Sequence, residues 1–312
     1  MREKKIFAIR SKVLKTDIPL KKYLLVCEGE KTEHIYFNAV NNIRQELGIN
    51  PLIEIVPIIR SFSEKGYSNP KKIIEYLEKG LEEHKTGKLS HETVLNKIME
   101  YLVDEKLISK TRLSKEIIWE RLEKTIKNKG IEMFEYTDDF LEISNILGEE
   151  LMKLNINEII PNLKNILEQE DIEYKKGLDK ICVIVDRDKD SFTKKQFNDV
   201  IKKCDDNQFG FYVTNPCFEF WLLLHYDDIN ELDKEKLKEN CNVSGKKRYA
   251  ESELCKRHKG YKKSKYKAEG IVKKVDTAIK NEKEFCEDIE LLENSIGSNL
   301  GILMQELKSN VI

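Results

Sequence analysis

Lys22-Tyr-Leu-Leu-Val-Cys-Glu-Gly-Glu-Lys-Thr-Glu-His-Ile-Tyr36 passes from an apolar run through an acidic turn into helix-like sequence. Tyr23 to Cys27 is apolar without alternation, the pattern of a parallel strand covered on both faces. Glu28 then falls at the carboxyl end of that strand, where open α/β sheets place their chemistry. Gly29 predicts a tight or left-handed turn, Thr32 a cap for the following helix, and Glu33 a negative charge in that helix's positive first turn.

A second stretch gives the first its meaning. Ile181 to Val185 is another apolar, β-branched run, and it ends in Asp186-Arg-Asp188-Lys-Asp190. If the two strands lie side by side in one parallel sheet, Glu28, Asp186 and Asp188 meet at one edge. Residues two apart in extended chain project to the same side, so Asp186 and Asp188 address one site and Arg187 points away. Clustered carboxylates repel unless a cation joins them, and hard oxygen donors favour Mg²⁺ or Mn²⁺. An isolated Asp-x-Asp is more often a loop or helix cap than a site. The second strand ending in Glu-Gly-Glu shifts the reading toward a metal site for phosphoryl chemistry, with Asp190 as a further ligand and Glu30 and Glu33 in support.

Glu28-Gly-Glu-Lys-Thr-Glu-His-Ile-Tyr-Phe37, Val185-Asp-Arg-Asp188 and Asn215-Pro-Cys-Phe-Glu-Phe-Trp-Leu-Leu-Leu-His225 resemble, in order, the signatures of the RloB family. That family is similar to Toprim domains, the catalytic module of topoisomerases, primases and OLD-type nucleases. The resemblance covers about 22 to 85 and 178 to 310, and its most specific block is Asn-Pro-x-Phe-Glu-x-Trp. It matches Glu28 to the Toprim glutamate and Asp186 and Asp188 to the Asp-x-Asp pair. It implies prokaryotic defence against phage, including abortive infection, alongside an ABC or SMC-like ATPase. The intervening segment is longer than the family's usual one and the resemblance says nothing about it.

Composition sets wider bounds. The 312 residues can hold one large domain or two ordinary ones. Charged residues make up 36%, above the usual quarter, yet the net charge is only −1, so an argument for a polyanion partner must rest on local patches. The seven cysteines show no Cys-x-x-Cys and no zinc-like spacing with the histidines, and read mostly as small core residues of a reduced compartment. Without an apolar signal core or a run long enough to cross a bilayer, the expectation is a cytoplasmic protein with no membrane partner. The basic segment 1–21 reads as an N-terminal arm.

Four segments follow from these signals: the arm at 1–21, the first part of a Toprim-like domain at 22–85, a helical insertion at 86–177, and the rest of the domain at 178–312. Leu52 to Ile59 reads as a second strand, and Pro57 points to an edge or a strand end. Ser68 or Asn69 is positioned to cap the next helix, with Pro70 in its first turn. From about 86 to 177 apolar residues recur at three- and four-residue spacing without strand signals, and Val94 to Ile126 has a weak helix-turn-helix character. The fold class is therefore α/β: a parallel sheet flanked by helices, with a large all-helical insertion.

Phe209 to Thr214 reads as a fourth strand, followed by a helix carrying Phe218, Trp221 and Leu222 as core. Glu219 in so apolar a setting wants a partner and is assigned a supporting role; His225 reads as a satisfied buried histidine. Gly245 to Lys274 holds twelve lysines and arginines against three glutamates. Lys246, Lys247, Arg248, Arg257, Lys262 and Lys265 are candidates for phosphate contact there, and Tyr261 and Tyr266 for stacking on bases. The resemblance places Lys263 and Lys265 in a Tyr-x-Lys pattern, making Lys263 a candidate to steady a scissile phosphate, and Gly297 to Glu306 in the family's closing motif.

Together these readings lead to the expectation of a Mg²⁺- or Mn²⁺-dependent nuclease acting on DNA or tRNA. Glu28 serves either as ligand or as proton-transfer group, an ATPase partner is implied, and homo-oligomerisation is left open. Two alternatives remain: a non-catalytic nucleic-acid-binding or regulatory subunit, and a primase-like nucleotidyltransferase.

Overall fold

The computed structural model describes residues 21–29, 31–58, 70–109, 111–157, 159–168, 174–187, 192–245 and 247–309. These divide into two compact units, one built from residues up to 75 and from 174 onward, the other from residues 76–168. The arm expected over 1–21 lies outside the described residues, apart from Lys21, as do the proposed caps Ser68 and Asn69.

The chain opens with β1 (Lys21–Cys27), α1 (Thr32–Asn42), β2 (Ile53–Ile58) and α2 (Pro70–Thr86). It continues through β3 (Leu89–Ser90), α3 (His91–Asp104), α4 (Arg112–Asn128), β4 (Tyr136–Thr137), α5 (Phe140–Lys153) and α6 (Leu163–Glu168). Then come β5 (Lys180–Asp186), α7 (Lys194–Asn207), β6 (Gly210–Asn215), α8 (Phe218–Leu223), α9 (Lys234–Glu239), β7 (Asn242–Ser244) and β8 (Lys247–Arg248). The last elements are α10 (Tyr249–Arg257), α11 (Glu269–Val272), α12 (Val275–Glu282), β9 (Gly297–Ser298) and α13 (Leu300–Ser309).

The main sheet has the order β2-β1-β5-β6-β9, parallel except for the last pairing. β1 and β5 are neighbours, with Cys27 opposite Ile184, although the whole helical unit separates them in sequence. Tyr23 to Cys27 and Ile181 to Val185 are buried, as runs without alternation require when helices cover both faces. Each large apolar side chain so buried contributes about 1.5–3 kcal/mol of transfer free energy. β2 takes an edge, which accommodates Pro57. The short β9 is an addition to the sequence reading. A Cβ on Gly297 would lie 1.9 Å from the Cys286 carbonyl oxygen, so only glycine permits that approach. Just beyond it Asn299 extends the pairing with its side chain, accepting from Val213 N at 2.7 Å and donating to Phe211 O at 3.1 Å.

In the unit spanning 76–168, α3 is central, burying Val94, Leu95, Ile98, Met99 and Leu102 against α4, α5 and α6. Ser90 caps α3 and Asp139 caps α5. The expectation of a segment without strands needs one correction: β3 and β4 form a two-residue antiparallel ladder. α3 is largely buried, and two of the α4 cations are ion-paired, Arg121 with Glu150 and Lys127 with Glu123. Cys27, Cys182 and Cys204 are buried and Cys217 and Cys255 pack half-buried against the core, so core packing accounts for most of the seven, while Cys241 is exposed.

Candidate active site

Adjacent parallel strands bring the two acidic signatures together. Glu28 follows β1 and donates its backbone N–H to Ile184 O at 2.9 Å, while its Oε2 accepts the Asp186 N–H at 3.0 Å. Glu28 thus extends the ladder by backbone and side chain at once. On its other side Asp186 faces Thr214 of β6 in register, and the Thr214 hydroxyl donates to Asp186 Oδ1 at 2.7 Å. Burial raises the Asp186 pKa well above the usual carboxylate range, and the nearby charges of Glu33, Glu28 and Glu219 push it further, against the Thr214 bond.

Glu33 reaches this cluster by folding back over Gly29. A Cβ on Gly29 would fall 2.2 Å from Glu33 Oε2 and displace it. Gly29 is not among the glycines with positive φ, so of the tight or left-handed turn expected from sequence the left-handed form is not adopted, and close approach of Glu33 accounts for the glycine. The predicted Thr32 cap also fails: Lys31 precedes the helix with no side-chain capping bond, and the Thr32 hydroxyl donates to Lys263 O at 3.1 Å instead.

That carbonyl belongs to a tight turn, Lys262 to Lys265, closed by Lys265 N–H to Lys262 O at 2.8 Å and Lys262 N–H to Lys265 O at 3.2 Å. Lys263 Nζ lies 2.9 Å from Oε1 of the buried Glu219, and the Tyr261 hydroxyl donates to the same oxygen at 3.1 Å. Desolvation lowers the Lys263 pKa, but the Glu219 carboxylate outweighs it, so the net shift is upward and the ammonium stays charged. The Lys263 side chain is still 55% exposed. The result is a half-exposed cation beside a partly buried acidic cluster, with Glu219 linking the two.

Other predicted residues divide sharply. Asp188, Asp190, Glu30 and Lys246 lie outside the described residues. Lys247, Arg248, Lys262 and Lys265 are exposed and available to a polyanion. Arg257 does not fit that role: its guanidinium grips Asp228 at 2.8–3.0 Å and Glu253 at 2.8 Å, with only 14% of the side chain exposed. Tyr261 does not fit base stacking either, because it is buried with its hydroxyl on Glu219. Tyr266 is half-buried, packed 5.2 Å from Tyr261, and donates its hydroxyl to Thr32 O at 2.8 Å; its ring braces the turn. Arg187 points away from the acids as expected, packing on Phe192 and Phe197 and donating Nη1 to Phe192 O.

His225 is fully buried. Its Nδ1 can only donate to the Trp221 carbonyl at 3.0 Å, which leaves Nε2 to accept the Tyr36 hydroxyl at 3.0 Å. Burial drives its pKa down to about 3, so it is a neutral structural group. Among the described residues, sequence reasoning missed Thr214. Aligning the carboxyl ends of the parallel strands would have found it, since it stands opposite Asp186.

Among the described residues, no three His, Cys, Asp or Glu side chains form a ready metal shell. The donor chemistry nonetheless fits a hard divalent cation. Asp186, Glu28 and Glu33 are oxygen donors with like charges close enough to raise the Asp186 pKa, and the second aspartate of the motif follows two residues on. The model of the RloB-like protein family matches residues 23–307, nearly the whole chain. The chain belongs to the RloB-like family. Neither a curated protein nor a solved structure matches it. Among the described residues of this RloB-like protein, no helix is long and apolar enough to cross a membrane.

Proposed function

We propose that this RloB-like protein is a divalent-metal-dependent nuclease that uses the carboxyl edge of β1, β5 and β6. The supporting observation is the convergence of Glu28 and Asp186 from distant parts of the chain, joined by the 3.0 Å bond from Asp186 N–H to Glu28 Oε2. Asp186, Glu28 and Glu33 would hold Mg²⁺ or Mn²⁺, with Asp188 or Asp190 completing the set. Such an ion supplies charge neutralisation of the phosphodiester and a more acidic water.

The chain's own residues do the rest. Thr214 fixes the Asp186 carboxylate through Oδ1. The Lys263 ammonium, charged and half exposed, steadies a phosphate oxygen. Lys262 and Lys265 on the same turn, with Lys247 and Arg248, contact flanking phosphates of DNA or tRNA. A role in prokaryotic phage defence, controlled by an ABC or SMC-like ATPase, completes the proposal at the level of the family resemblance.

The test is cleavage of end-labelled single-stranded DNA, supercoiled plasmid and total tRNA with Mg²⁺, Mn²⁺ or EDTA. Wild type is compared with Asp186→Asn and Glu28→Gln, with and without any ABC or SMC-like ATPase found encoded in its neighbourhood. Cutting that needs the metal and is lost in both variants supports the proposal and identifies the substrate. Equal cutting by all three proteins overturns it. Tight binding without cutting under any condition replaces it with the binding-subunit reading, and nucleotide incorporation on a primed template with the primase-like one.

A further inference from the structure

A threonine at the start of a helix ordinarily caps that helix, because its hydroxyl is the nearest acceptor for the unpaired N–H groups of the first turn. In α1 the buried Thr32 does something else. Its hydroxyl donates to Lys263 O, 231 positions along the chain, and its own carbonyl accepts the Tyr266 hydroxyl at 2.8 Å. These two bonds straddle the far arm of the turn and tie it to the helix that carries Glu33. A third attachment comes from Tyr261, whose hydroxyl shares Glu219 Oε1 with Lys263 Nζ. The Tyr261 and Tyr266 rings pack on each other at 5.2 Å, so the two tyrosines support the turn from below. The lysines it presents, at 262, 263 and 265, are exposed, while its backbone is bound from both sides.

We infer that Thr32 and Tyr266 are positioning residues, a clasp that sets the Lys263 ammonium at the rim of the acidic cluster. Without it the turn would be a flexible cationic loop, able to attract a polyanion but not to hold one charge in register with Asp186. The inference rests on the proposed phosphoryl chemistry for its consequence, but not for its existence.

Its test reads both. In a purified full chain, an N-hydroxysuccinimide ester is used to label lysines, and peptide mass spectrometry compares Lys263 with Lys262 and Lys265 on the same turn. Lys263, held on Glu219, is expected to react several-fold more slowly than its two neighbours. Thr32→Val and, independently, Tyr266→Phe should close that gap, while Thr32→Ser, which keeps the hydroxyl, should restore it. Lys180, ion-paired to Glu306 elsewhere in the unit, must keep its own rate and so reports that the fold is intact. In the cleavage assay kcat for Thr32→Val should fall on the order of 10- to 100-fold, the scale of a misplaced reacting group, with KM nearly unchanged. An unchanged Lys263 labelling gap in both clasp variants overturns the inference whatever the activity. If the gap closes in both clasp variants while the wild type cuts nothing, the clasp stands and the nuclease reading falls.

Discussion

Toward the amino ends of β1, β5 and β6, Glu306 of α13 receives the Lys180 ammonium at 2.5 Å and the hydroxyls of Tyr23 at 2.9 Å and Tyr212 at 3.4 Å. At the carboxyl ends of the same strands, Asp186 has one hydroxyl donor on its carboxylate and three glutamates close enough to act on it. Burial opposes charge in both places. At Glu306 the Lys180 hydrogen bond and charge, helped by Tyr23, reverse that penalty and the pKa falls; at Asp186 like charges compound it and the pKa rises. One end of the sheet is satisfied, so it serves stability. The other is left in electrostatic conflict, which a bound cation would relieve.

The largest expected effect comes from removing a charge at the conflicted end. Asp186→Asn keeps the acceptor for Thr214 but loses the carboxylate, and cleavage should fall on the order of 10³-fold, the usual cost of losing a principal electrostatic stabiliser. In EDTA the same variant should unfold at a higher temperature than wild type, because relief of repulsion outweighs the lost charge. The rise should be of the size that 1 kcal/mol produces in a domain of this length, about 2–4 °C. A midpoint that drops instead would mean that Asp186 is a structural carboxylate, and the contrast between the two ends would collapse.

The opposite outcome is expected at the satisfied end. Glu306→Gln leaves the Lys180 ammonium without its partner and weakens the bonds from both tyrosines, so stability should fall by about 1–3 kcal/mol. Urea unfolding measures this directly. Cleavage by the folded variant should stay within about twofold of wild type, since electrostatic effects screened over more than a Debye length of about 8–10 Å fade. A loss of activity matching that of Asp186→Asn would show that the two ends are coupled.

This contrast was only partly legible in the sequence. The β1 and β5 runs and their acidic ends were readable because a doubly covered strand needs continuous apolar residues and chemistry gathers at strand ends. Pro57 narrowed β2 to an edge or a strand end for a similar reason, since one residue type obeys one local rule, and the fold takes the edge. What could not be read is where long-range partners go. Thr32 carries every local sign of a cap, yet its hydroxyl is diverted to Lys263. Tyr261 and Tyr266 look like stacking platforms between lysines, yet their hydroxyls are tied to Glu219 and Thr32. Arg257 counts toward a basic patch until Asp228 and Glu253 arrive to neutralise it. Local composition cannot show which charge meets which, because tertiary structure makes that choice.

The smallest expected effect concerns the support behind the acidic edge. Tyr36 of α1 and Trp221 of α8 pack around the buried His225 with ring centroids 5.5 and 5.1 Å from it, fixing the helix that carries Glu33 against the one that carries Glu219. The His225 pKa lies at about 3 in the fold against 6.5 in a solvated chain. Below pH 6.5 the unfolded chain therefore takes up a proton that the folded one refuses, so folding stability is complete above that value and declines as pH falls toward 3. At pH 5 the loss amounts to about 2 kcal/mol from this residue. The check is the difference in urea midpoint between pH 7 and pH 5, measured for wild type and for His225→Gln. The glutamine variant should be less stable at pH 7 but lose less on acidification, because the remaining pH dependence belongs to carboxylates such as Glu306. An identical pH dependence in both proteins would mean that His225 is accessible to protons in the fold and that the support behind the acidic edge is looser than its packing implies.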